Sequence, residues 1–220
     1  MARLPRLVLA GHTHCIVQRG HSGQPVFADD RDRASYLEAL HASAGSESVQ
    51  IHAWALLRDE VLLLATPADG PALGRMVQTL GRRYVSGYNR RHGRRGTLWD
   101  GRFRCGVVEP GAMRLAALRW IDGQSRDAGV TTAAQRLGDG RMAWLVDPPE
   151  IWHLGNTPFE REAAYGLLLA EGLPAAVADV LRRAAVGGWA VGSTSFAADV
   201  AQLASRPSRP RPRGRPRSDR

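Results

Sequence analysis

The sequence predicts an α+β chain: a ferredoxin-like βαββαβ domain, with one antiparallel sheet and helices on one face, then a C-terminal helical extension and a disordered basic tail. Three observations predict it. Between residues 13 and 122 the patterns follow one another as strand, helix, strand, strand, helix, strand. Past Gly129 they give way to an irregular stretch and then to short helices. From Ser205 onward Pro, Arg and Ser alternate with no apolar anchor, a composition that cannot bury enough surface to fold alone. The expected divisions are 1–130 for the first domain, 131–204 for the irregular and helical region, and 205–220 for the tail.

Each element has its own signal. Residues 13–18 alternate loosely and suit a strand, and a Gly- and Ser-rich loop follows at 20–25. Asp29 or Asp30 can cap a helix, with Ala34, Leu37 and Leu40 spaced for one buried face. In the next strand Val49, Ile51, Ala53 and Ala55 fall on one side and Gln50, His52 and Trp54 on the other. The polar turn Arg58-Asp59-Glu60 joins it to Val61–Ala65 as a hairpin. Pro71 can open a helix carrying Leu73, Met76, Val77, Leu80, Tyr84, Val85 and Tyr88 at three- and four-residue spacing. A Gly- and Arg-rich loop at 93–102 leads to a strand near 103–109, and Pro110-Gly111 precedes a helix near 112–122. This topology leaves the second sheet face free for a ligand. Farther on, Thr157 or Pro158 opens a helix, Gly172–Pro174 separates it from the next, and Gly187-Gly188 ends that one. Trp189 and Phe196 read as packing residues.

Charge narrows the partner. All 30 basic residues are arginine, and the net charge is +9. Residues 82–104 hold eight arginines against Asp100, for +7, and residues 205–220 hold seven against Asp219, for +6. The remainder therefore carries −4, so two basic islands sit on a mildly acidic body. That is the footprint of a polyanion binder, and the planar guanidinium fork suits phosphate. No apolar run approaches the ~20 residues that cross a bilayer, which argues against a membrane partner. Cys15 and Cys105 make no metal pattern and no disulfide framework, which makes the cytoplasm the expected location. His12 and His14 form a His-x-His without a third ligand and read as ordinary histidines of the first strand region.

Several stretches together carry a resemblance. They are Gln18-Arg19-Gly20-His21, Gln24-Pro25-Val26-Phe27, Leu80-Gly81-Arg82-Arg83-Tyr84, Tyr88-Asn89-Arg90-Arg91-His92-Gly93-Arg94 and Gly96-Thr97-Leu98-Trp99-Asp100-Gly101-Arg102-Phe103. Later come Thr157-Pro158-Phe159-Glu160-Arg161, Gly188-Trp189, Gly192-Ser193, Phe196 and Arg213-Gly214-Arg215-Pro216-Arg217. The chain resembles the IS200-like single-tyrosine transposases, and within them the REP-associated tyrosine transposases. The resemblance implies DNA transposition on single-stranded or hairpin DNA. A His-hydrophobic-His pair on a central strand would hold Mg²⁺ or Mn²⁺, a helical tyrosine would attack the phosphate, and an amide one turn later would complete the metal site.

The catalytic positions depart from that pattern. Glu60 and Leu62 stand at the two histidine places, Trp120 stands at the tyrosine, and Gln124 alone is retained. A glutamate can bind Mg²⁺, but a leucine binds no metal and an indole attacks no phosphate. The expectation is a DNA-binding protein with no intact catalytic residue, no metal and no cofactor. The alternatives are a nuclease with a relocated tyrosine, such as Tyr84 or Tyr88, and an RNA-binding module. The candidate DNA-binding residues are Arg82, Arg83, Asn89, Arg90, Arg91, His92, Arg94, Arg95, Trp99, Arg102 and Arg104, with Arg213, Arg215 and Arg217 in the tail. Trp99 stands open between a base-stacking platform and a core plug. The tail motif resembles an AT-hook, whose Arg-Gly-Arg-Pro core would contact A·T-rich duplex in the minor groove, with a general polyanion-binding tail as the alternative.

Overall fold

The computed structural model describes residues 5–124, 130–140 and 142–210. Strands β1 (Thr13–Arg19), β2 (Val49–Leu56), β3 (Glu60–Pro67) and β4 (Arg104–Val108) alternate with helices α1 (Asp30–Ser46) and α2 (Ala72–Arg91) in the predicted order. The strands lie side by side as β2-β3-β1-β4, all antiparallel, which is the ferredoxin-like arrangement. After α3 (Ala112–Asp122), short strand β5 (Val130–Thr131) extends the sheet beside β2. The chain continues through α4 (Ala133–Arg136), α5 (Pro149–Trp152), α6 (Pro158–Glu171) and α7 (Ala175–Gly187). Strand β6 (Ala190–Val191) then pairs parallel to β4, and α8 (Thr194–Leu203) follows.

Helices α1, α6 and α8 begin where a side chain caps them. The Asp29 side chain accepts from the Asp32 backbone N–H at 3.1 Å, satisfying a free donor of the first turn of α1. At α6, Thr157 and Glu160 form a reciprocal capping box with proline in the first turn. The apolar face of α1 is rotated from the predicted one. Tyr36, Ala39, Leu40 and Ala44 are buried and Ala34 is exposed, because the helix turns its aromatic ring toward α2, where Tyr36 meets Tyr84 edge-on at 5.1 Å.

The sheet is buried on both faces, and this corrects the expectation of an open one. On one face Ile16, Val61, Leu63 and Ala65 pack with α1 and α2. On the other, Cys15, Val17, Leu62 and Leu64 pack against Leu118, Trp120 and Ile121 of α3 and Leu181 and Ala185 of α7. Helices α5, α6 and α7 of the extension therefore help cover the second face, while Met142, Trp144 and Leu145 pack on the first. A β-bulge in β2 between Ile51 and Ala53 also breaks the expected alternation. Past the bulge Trp54 and Leu56 join Val49 and Ile51 on the α1–α2 face, while Ala53 and Ala55 turn to α3.

Helix α7 comes very close to β4. A Cβ added at Gly106 would lie 2.6 Å from the Trp189 carbonyl oxygen and 2.7 Å from that of Ala184. Both obstacles are backbone, so the segment itself would have to move. Gly106→Ala should cost about 2 kcal/mol, read as a fall in Tm of roughly 4–8 °C. An unchanged melting temperature would contradict this packing.

Residues 205–210, expected within the disordered tail, are anchored to the body through Arg206, Ser208 and Arg209. The buried Ser208 hydroxyl donates to the Ala197 carbonyl at 2.6 Å, and the Ser208 carbonyl accepts from Ala190 N–H at 2.8 Å. The AT-hook-like motif with Arg213, Arg215 and Arg217 lies outside the described residues. Among the described residues, no single helix is long and apolar enough to cross a membrane.

Candidate nucleic-acid interface

The positions that the resemblance marks as catalytic are filled by packing and ion pairing. Leu62 is fully buried in the same apolar cluster as Trp120. Glu60, also buried, accepts from Arg19 Nε at 2.7 Å and takes a two-nitrogen grip from Arg182 of α7 at 3.0–3.1 Å. Its carboxylate thus ties α7 to the sheet. Gln124 donates through Nε2 to the Trp120 carbonyl at 2.9 Å, closing the end of α3. A carboxylate already held by two guanidiniums, beside a leucine, does not fit a divalent cation. Among the described residues no group of three or more His, Cys, Asp or Glu could hold a metal ion.

The four tyrosines of the chain are all buried. Tyr84 donates its hydroxyl to the Val26 carbonyl, and Tyr88 donates to the Pro25 carbonyl at 3.3 Å. Among the described residues Tyr36 has no hydrogen-bond partner for its hydroxyl, and it lies wholly inside. Tyr165 donates to the Asp122 carboxylate at 2.6 Å. Burial raises the Tyr36, Tyr84 and Tyr165 phenols above the ordinary range, the opposite of what a phenolate nucleophile needs. Tyr84 and Tyr88 line the groove between α1 and α2, but each hydroxyl donates to a backbone carbonyl, which weighs against the relocated-tyrosine alternative.

Both histidines of the His-x-His hydrogen-bond the backbone. His12 bonds the Ala10 carbonyl through Nδ1 at 2.9 Å. His14 is buried, and its Nε2 accepts from Leu9 N–H at 3.2 Å, which makes it a neutral acceptor. Burial pushes its pKa down to about 4. The unfolded chain binds a proton near the ordinary 6.5 that the folded one refuses, so stability falls as pH drops from about 6.5 to 4, by about 3 kcal/mol in total. Urea titrations at pH 7 and pH 4.5 should show that loss, and His14→Asn should remove part of the slope. An unchanged slope in the variant would count against a neutral buried His14.

The arginine island at 82–104 divides in space. Arg83, Arg90 and Arg91 line a groove of about 550 Å³ between α1 and α2, together with Arg31, Ser35 and Glu38. Arg83 and Arg90 sit seven residues apart, about two turns along one helix face. Arg31, Arg83 and Arg90 are exposed and, among the described residues, have no ion pair or side-chain hydrogen bond. Arg102 and Arg104 line a separate pocket with Arg6 and Arg206. Arg95 is exposed in the loop, and Arg82 is exposed with only a 3.5 Å contact to Thr79 Oγ1.

Five of the predicted residues are already engaged within the protein. Arg91 pairs with Asp29 and, at 2.5 Å, with Asp32, and His92 bonds Asp32 at 2.9 Å. Asn89 donates to the Gly96 carbonyl at 2.9 Å, and Arg94 donates to Gln24 at 2.6 Å while its guanidinium lies 5.7 Å from the Tyr88 ring. Trp99 is core: it is 7 % exposed, lies 6.3 Å from both Tyr36 and Tyr84, and forms a bridge with Gly20. These residues fasten the 93–102 loop to α1 and α2. Arg31, Arg6 and Arg206 were missed. Arg31 is masked by the surrounding acids Asp29, Asp30 and Asp32, and Arg206 counted only toward the tail's charge.

No family model matches the chain, and no curated protein matches it. Among solved structures, one of a REP-associated tyrosine transposase bound to a REP hairpin is similar over 68 % of this chain and 93 % of the other, at 12 % identity and a TM-score of 0.53. The chain has that transposase's fold. A Deinococcus radiodurans protein provisionally described as a transposase is similar over 50 % of this chain and 88 % of its own, at 16 % identity. Its TM-score of 0.38 adds nothing to the argument. On the REP-associated transposase fold, this chain fills the second sheet face with α3 and α7 and keeps arginines at the surface.

Proposed function

We propose that this chain is a DNA-binding member of the REP-associated tyrosine transposase lineage that holds single-stranded or hairpin DNA and does not cleave it. The observation that carries the second half is the burial of every tyrosine, together with the engagement of Glu60 by Arg19 and Arg182. Tyrosines packed inside, three of them with hydroxyls bonded to the protein, do not suit a nucleophile, and a Glu60 already held by two guanidiniums does not suit a metal ligand. The first half is supported by Arg31, Arg83 and Arg90 along one groove and by a neighbour of the same fold that binds a REP hairpin. Guanidiniums with no carboxylate partner remain available to phosphates.

Incubation with hairpin-flanked single-stranded DNA and Mg²⁺ or Mn²⁺ should give a retarded complex with neither a nicked strand nor a covalent adduct. A protein–DNA adduct that survives denaturation would overturn the reading. A matched RNA hairpin bound more tightly than the DNA would replace DNA with RNA as the partner.

A further inference from the structure

The pocket at the junction of the N-terminal segment, β4 and the α7–β6 turn is built unlike the α1–α2 groove. It has a volume of about 210 Å³, and its lining includes Arg6, Arg102, Arg104 and Arg206 with Phe103 and Trp189, but no acidic residue. The groove contains Asp32 and Glu38. Two of the guanidiniums are positioned by ring faces: Arg6 lies 4.0 Å above Phe103, and Arg206 lies 5.7 Å from Trp189. Backbone carbonyls orient them further. Arg6 Nε donates to Phe103 O at 3.2 Å, Arg104 to Val186 O at 3.3 Å, and Arg206 to Gly188 O at 3.2 Å and to Pro5 O. Among the described residues Arg102, Arg104 and Arg206 have no carboxylate partner. Burial lowers the Arg206 pKa.

The like charges of Arg102, Arg104 and Arg206 in so small a space repel one another, and a compact anion relieves that repulsion. We infer that this pocket binds a phosphate group at the end of a nucleic-acid strand, preferring a terminal phosphomonoester to an internal diester. The preference follows from charge: a monoester carries about −1.5 to −2 at neutral pH and offers three acceptor oxygens, whereas a diester carries a single charge. Half-buried Trp189 at the rim provides a surface for the terminal base. The inference rests on the DNA-binding reading for its source of phosphate.

The test uses the full chain and one short single-stranded oligonucleotide, labelled at its 3′ end and carrying either a 5′-phosphate or a 5′-hydroxyl. Fluorescence anisotropy should show the phosphorylated form binding about 5-fold tighter or more. That advantage should shrink at pH 5.5, below the second phosphate pKa of about 6. The double variant Arg102→Gln/Arg104→Gln, built at two exposed positions, should bring the two forms to equal affinity. Equal wild-type affinity for the two forms, or a preference that survives in the variant, would overturn the inference and leave DNA binding standing. If neither oligonucleotide binds but inorganic phosphate raises Tm for the wild type and not for the variant, the anion pocket stands and the DNA reading falls.

Discussion

Asp122→Ala should destabilise the chain by about 3–5 kcal/mol, the largest effect expected of any single substitution here. Asp122 is 1 % exposed at the end of α3 and accepts from Arg136 Nη1 at 2.8 Å, Tyr165 at 2.6 Å and Thr132 at 2.5 Å. Arg136 is itself buried and donates to the His52 carbonyl, with Asp147 at 3.3 Å as its remaining carboxylate. One carboxylate thus joins α3, α4 and α6 where they meet the edge of the sheet. Removing it leaves a guanidinium inside the protein with one weak counter-charge, and the desolvation penalty is then uncompensated. The double variant Asp122→Ala/Arg136→Met discards the orphaned charge and should recover part of the loss. Chemical denaturation of the three proteins decides this, and a double variant less stable than Asp122→Ala would contradict it.

The second large effect concerns binding. Substituting Arg31, Arg83 and Arg90 together by alanine should weaken binding of a single-stranded hairpin by about 100-fold, taking about 1 kcal/mol for each guanidinium–phosphate hydrogen bond removed. The fold should be indifferent, because all three side chains are exposed and, among the described residues, make no ion pair. Replacing Arg91 should behave oppositely. Its pairs with Asp29 and Asp32 place it in the scaffold, so stability should fall before affinity does.

The βαββαβ core was legible because its signals are local: turn residues at 58–60, the helical spacing from Leu73 to Tyr88, and an Asp at the start of α1. Less legible was what depends on partners distant in sequence. The bulge at His52 reverses the faces of β2 with no compositional mark. Coverage of the second sheet face did leave a trace. The run Val61–Ala65 is apolar at every position, as a strand buried on both sides should be, although the hairpin reading used only its boundaries. The same reason scattered the candidate site. Counting arginines along 82–104 located a basic segment, but which guanidiniums remain free depended on Asp29 and Asp32, about sixty residues earlier. Trp99, drawn into the aromatic core with Tyr36 and Tyr84, illustrates the point: a ring beside arginines in sequence faced other rings in space.

The most direct test is a salt series. Binding of a fluorescent hairpin-bearing single strand, measured by anisotropy from low to high ionic strength, should give log affinity falling linearly with log salt. The slope should lessen by about 2 when Arg31, Arg83 and Arg90 are replaced, near 0.7 for each single-strand phosphate no longer neutralised. Affinity indifferent to salt, or a slope identical in the triple variant, would mean that these arginines do not hold the strand.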